Sequence, residues 1–156
     1  MRRDACIGVA AVVVAVLALA GCGDRSPAEP GTSARLEALS GSYIYSATYQ
    51  GADYLTGTIS LLRTGDSVSG VWDIRLIRPT DPPQAGCVVG VGQLVGSVVA
   101  DTLLHLDMNP GWADCNVGLA LKPTADGFHG QWDFVGFAGP MAQGNATLRR
   151  WTPGPD

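Results

Sequence analysis

Charge is scarce in this chain: Asp, Glu, Lys and Arg make up 15% of its 156 residues, and the formal net charge is -4. The basic stripe that neutralises a phosphate backbone is missing, which argues against a nucleic-acid partner. Runs rich in Ala, Leu, Glu and Lys at helical spacing are nearly absent beyond the N-terminal segment, which points away from a helical fold. No Gly-x-Ser-x-Gly elbow, His-Glu-x-x-His pair, Gly-rich phosphate loop or dinucleotide fingerprint occurs, so the common nucleophilic, metallopeptidase and nucleotide chemistries have no support. Cys-x-x-Cys spacing is also missing, which argues against a redox-active pair. The one long apolar run, Ala5 to Ala20, is short for crossing a bilayer.

That run follows the cationic start Met1-Arg2-Arg3 and ends in Leu19-Ala20-Gly21-Cys22, the order of parts in an exported chain's signal peptide. The four residues resemble the lipobox of bacterial lipoproteins. The resemblance implies that residues 1–21 are removed and that the Cys22 thiol is acylated, with palmitate-type chains holding the protein at a membrane. Each buried CH₂ contributes about 0.8 kcal/mol, so two or three chains suffice without any protein contact. In that family an Asp directly after the cysteine retains the product in the inner membrane of enteric bacteria. Gly23 stands there and Asp24 comes one later, so the resemblance implies the outer membrane where a cell has two. The polar Pro/Gly/Ser stretch that follows predicts a flexible tether, with one helical turn over Ala34 to Leu39 capped by Ser33. The expected organisation is a signal peptide (1–21), an acylated cysteine and tether (22–40), a β-barrel domain (41–152) and a short tail (153–156).

From Gly41 onward, short alternating runs are separated by turn residues, the pattern of an antiparallel barrel or sandwich. Eight strands are predicted: Ser42 to Gln50, Tyr54 to Arg63, Ser67 to Ile77, Cys87 to Val99, Thr102 to Met108, Asn116 to Lys122, Phe128 to Phe137 and Ala142 to Trp151. Thr64-Gly65-Asp66 and Ala125-Asp126-Gly127 read as tight hairpin turns, which makes the order an up-and-down meander. Gly70-Val71-Trp72-Asp73-Ile74 and Gly130-Gln131-Trp132-Asp133-Phe134 repeat one phrase. With a period of two, both tryptophans share the inner face with their glycine. Strand glycines such as Gly57, Gly92 and Gly96 suit the bends of a small closed barrel, with a sandwich as the alternative. The eight-strand meander, Gly41-Ser42-Tyr43 and the late Leu148-Arg149-Arg150-Trp151 are similar in architecture to the calycin group, the lipocalins and avidin-like barrels. Tyr43 stands where the lipocalin motif carries Trp, and no avidin biotin-site pattern is present.

Cys6 falls in the signal segment and Cys22 carries the lipid, which leaves Cys87 and Cys115 to pair as an exported disulfide. His105, Asp107, His129 and Asp133 include metal-ligand types, but alternation sets them opposite Leu104, Leu106, Trp132 and Phe134, on the solvent face. No metal or cofactor is expected. Asp73 and Asp133 read as solvated strand charges before they read as a glycosidase pair. The expected function is non-catalytic: a membrane-anchored, extracytoplasmic barrel that binds a small apolar ligand or an envelope partner. The tentative ligand residues are Trp72, Trp132, Phe134, Leu106 and Met108, with Trp112 as a loop contact. The alternatives are a structural module with those same residues packed together and no ligand, and, less favoured, a hydrolase.

Overall fold

The computed structural model describes residues 31–79, 86–112 and 114–154. The signal segment, the lipobox and most of the first tether residues lie outside that set. Eight strands follow one another in chain order: β1 (Gly41–Tyr49), β2 (Ala52–Thr64), β3 (Ser67–Leu76), β4 (Gly90–Val99), β5 (Leu103–Asp107), β6 (Asn116–Pro123), β7 (Gly127–Gly136) and β8 (Gly139–Arg150). Every neighbour pairs antiparallel, and β1 also pairs with β8, with Tyr45 opposite Leu148. That last pairing closes the sheet into a barrel and removes the sandwich alternative, since no strand edge is left unpaired.

Alternation within each strand sends one set of side chains inward. Tyr43, Tyr45 and Ala47 of β1, Ile59 and Leu61 of β2, and Val117, Leu119 and Leu121 of β6 are all buried. The matching outward positions of β1 and β2 are mostly Ser and Thr, and those of β6 are Asn116, Gly118, Ala120 and Lys122. Rings of this size fit inside eight strands because small residues face them. Gly57, for example, pairs with both Tyr45 and Ile74, and a methyl there would collide with the Asp73 backbone.

The two ends differ. At one end the helix α1 (Thr32–Glu37) leads into β1, and Leu36 and Leu39 are fully buried among the barrel residues. Leu36 and Leu39 therefore belong to the folded core although they precede Gly41. Gly31, not Ser33, occupies the N-cap position, without a side-chain cap bond. At the other end lie the long β3–β4 and β5–β6 connections. β4 starts at Gly90, later than the Cys87 start the sequence suggested, because Gly86–Val88 forms a single 3-10 turn. Cys87 is joined there to Cys115, with Cα atoms 5.8 Å apart.

Candidate functional site

The two repeated Gly-x-Trp phrases do the same mechanical job on opposite sides of the barrel. Trp72 of β3 pairs with Gly92 of β4, and Trp132 of β7 pairs with Gly144 of β8. A methyl at either glycine would run into the indole beside it, so each ring lies across the bare backbone of the next strand. Each indole N–H then finds a carbonyl near the barrel mouth. Trp72 Nε1 donates to the Met108 carbonyl at 2.7 Å, and Trp132 Nε1 donates to the Thr48 carbonyl at 2.8 Å. Buried indoles need that partner, and here it locks both rings. Tyr54 stacks on Trp132 at 5.8 Å, and Tyr49 tilts against both at 5.7 and 6.0 Å.

This cluster closes the mouth end from inside. Trp72, Trp132, Phe134, Leu106 and Met108, the five expected ligand residues, all lie in the one buried core cluster. Of the five, Trp72 also reaches the surface, where it forms part of the wall of two neighbouring clefts, the first of them on the mouth rim.

That cleft has a volume of about 540 Å³ and sits on the mouth rim, between the start of β4 and the β5–β6 loop. Its walls are Trp72, Val89, Val91, Gly92, Asn109 and Trp112, and the Cys87–Cys115 bridge lies beside them. Trp112 is 63% exposed and Val91 is 77% exposed. The Asn109 amide donates to the Cys115 carbonyl at 3.2 Å, and its backbone N–H donates to Asp107 at 3.0 Å. Asp107 also accepts from the Asn116 amide at 3.0 Å. These bonds shape the loop that carries Trp112. Volume, apolar walls and few convergent polar groups are the general features of a small-molecule site. Sequence reasoning singled out Trp112 but not Val89 and Val91. The available signal was Val89-Gly90-Val91-Gly92, where a valine falls on an outward position between two glycines.

The polar candidates are elsewhere. His105, His129 and Asp133 are exposed on the outer face, and His129 bonds to Thr147 at 3.1 Å. Partial burial pushes the Asp133 carboxyl up, offset by nearby His105. Among the described residues, no group of three His, Cys, Asp or Glu side chains is placed to hold a metal. Asp73 on β3 and Asp133 on β7 stand on strands that do not pair with one another.

No family model and no curated protein matches the chain. Solved structures do resemble it. The structure of EF1p2_mFAP2b bound to DFHBI matches with a TM-score of 0.55 at 16% identity, over 78% of this chain and 100% of that one. A redesigned beta barrel, mFAP1, bound to DFHBI, aligns with a TM-score of 0.49 at 14% identity, over 74% and 98%. The strand topology defines the class, an all-β, eight-stranded, closed antiparallel barrel, and the first likeness agrees with that fold. The barrel architecture that the calycin resemblance implied is therefore present, and at this identity the likeness extends to the fold alone.

Proposed function

We propose that this chain is a lipid-anchored, extracytoplasmic binding module with no catalytic role, which takes a small apolar ligand in the rim cleft at Trp112. The supporting observation is the division of its aromatics. Trp72 and Trp132 are bonded and packed inside, while Trp112 stands exposed over a cleft of about 540 Å³ beside a disulfide. Cleft volumes of roughly 300–1,000 Å³ are those of small-ligand sites. A structure of similar fold is bound to the small molecule DFHBI, which agrees with this use of such a barrel, although the reading rests on the cleft. The lipid anchor rests on Leu19-Ala20-Gly21-Cys22, outside the described residues.

The burial of Trp72 and Trp132 favours a second reading, in which the mouth meets an envelope protein. Phe137, 90% exposed on the β7–β8 turn, and Met141 would widen that contact. Tryptophan fluorescence of the full chain, titrated with small apolar ligands and membrane lipid extracts, separates the two. A saturable change abolished by Trp112→Ala supports the ligand. A silent titration with folded protein overturns it and leaves the partner reading. Mass analysis of the membrane-extracted chain tests the anchor: an unmodified Cys22 would overturn it.

A further inference from the structure

The barrel end that receives the N-terminal segment carries a second cleft, of about 590 Å³, bounded by α1, the β6–β7 turn and the end of β8. Tyr43 and Phe128 contribute its apolar part. Among the described residues its charged walls are Arg35, Arg149 and Arg150, with Asp126, which accepts from the Thr124 hydroxyl at 3.0 Å, as the carboxylate. In a chain of net charge -4, Arg149 and Arg150 side by side at one cleft gather positive charge at this end of the barrel. Arg150 is held in place by the Ala38 and Ser40 carbonyls and by Tyr43, so its charge is fixed at the cleft. Arg149 points outward from β8 and makes no side-chain hydrogen bond or ion pair among the described residues.

Guanidinium forks match the oxygens of a phosphate, and several around one pocket select an anion over a neutral polar group. The position of the cleft narrows the source. Thr32, the first residue of α1, is ten residues after Cys22, a span of at most about 33–36 Å when fully extended. We propose that this cleft binds the phosphate of an anionic lipid headgroup and thereby seats the barrel on its membrane with the Trp112 mouth turned away. The orientation rests on the lipid-anchor reading, whereas the anion site stands on the arginines themselves.

Trp151, 54% exposed at this end, and Trp112 at the other are the two exposed tryptophans, so they report which end meets lipid. The membrane-extracted full chain is placed in vesicles of brominated phosphatidylcholine, with or without an equal share of brominated phosphatidylglycerol. Trp112→Phe isolates the Trp151 signal, and Trp151→Phe isolates that of Trp112. Quenching of Trp151 that rises with phosphatidylglycerol, spares Trp112 and falls with Arg149→Glu supports the proposal. Each arginine near an anionic surface is worth about 1 kcal/mol, so the charge reversal should weaken the response at least about fivefold, and Arg149→Lys should restore most of it. Equal quenching in both vesicles, or indifference to Arg149→Glu, overturns it. Titration of the same chain with inorganic phosphate and with sn-glycerol 3-phosphate separates the sources. Tight capture of inorganic phosphate with no lipid response would overturn the headgroup assignment. An unacylated Cys22 with glycerol phosphate binding intact would overturn the anchor and uphold the anion site.

Discussion

The Arg150 guanidinium lies 5.0 Å from the centre of the Tyr43 ring, and one of its nitrogens donates to the Tyr43 hydroxyl at 2.7 Å. Tyr43 in turn donates to the Leu39 carbonyl at 2.6 Å, so the last strand holds the first one and the chain that enters it. Phe128 meets the same ring edge-on at 5.7 Å. The barrel closes at this end through side chains as well as through the β1–β8 ladder. A cation over an aromatic face contributes about 0.5–2 kcal/mol, and bonds to a charged group about 1.5–3 kcal/mol. Arg150→Ala should therefore lower stability to urea by about 2–4 kcal/mol, and Arg150→Lys should recover only part, because Lys lacks the planar fork. A loss below about 1 kcal/mol would show that the contact is incidental.

Leu36 gives a separate test of where the domain begins. It is fully buried although it precedes the first strand. Leu36→Ala should cost about 2–5 kcal/mol, as for a core leucine, while Glu37→Ala, on the exposed side, should be close to neutral. Equal effects at the two positions would place α1 outside the cooperative unit.

Gly92 has no room for a side chain against the Trp72 indole. Gly92→Ala should cost about 1–3 kcal/mol by overpacking, shift tryptophan emission to the red as the Met108 bond opens, and distort the rim cleft. Unchanged emission and stability would mean that the ring has slack. Gly111→Ala, with open space around it, is the matched control.

The Cys87–Cys115 bridge spans a sequence separation of 28 residues and joins the two loops that form the rim cleft. In the chain-entropy model a closed loop of that size contributes about 3–4 kcal/mol. Replacing both cysteines with Ala should lower the free energy of unfolding by that amount and weaken the proposed ligand binding at Trp112 more than any outer-face substitution of β5 to β8. Binding that survives intact would separate the bridge from the site.

Alkaline pH tests the buried phenols. Burial pushes the Tyr45 hydroxyl far above its ordinary value of 10.0, with neighbouring Tyr54 adding to the rise. Burial raises Tyr43 as well, partly offset by Arg150. The unfolded phenols ionise first, so their contribution is complete below pH 10 and is lost as the pH climbs past it. Urea midpoints should fall steeply above pH 10, and Tyr45→Phe should flatten that fall; parallel curves for the two proteins would refute the assignment.

The barrel was legible because its information is local. Alternation, Gly-Asp turns and the regular spacing of eight apolar runs each survive reading in one dimension, and all eight strands appear where those runs are. The Cys87–Cys115 pair followed from counting. The inward faces of Trp72 and Trp132 followed from a period of two. Local composition did not show that Leu36 and Leu39 join the core: they look like part of a short polar segment until the open barrel end is there to bury them.

What sequence alone determined here is the strand list, the sense of each face and the closing disulfide, since these depend on neighbours a few residues apart or on a count. What only the tertiary structure decided is which apolar side chains remain available. Whether Trp72 and Trp132 line a hollow or fill it depends on Gly92 and Gly144 lying beside them across a strand pair and on carbonyls 36 and 84 residues away. The rim cleft likewise joins Val91 to Trp112, and the basic cleft joins Arg35 to Arg149, through space rather than along the chain. Alternation sets the direction of a side chain, but closure of the barrel determines what meets it there.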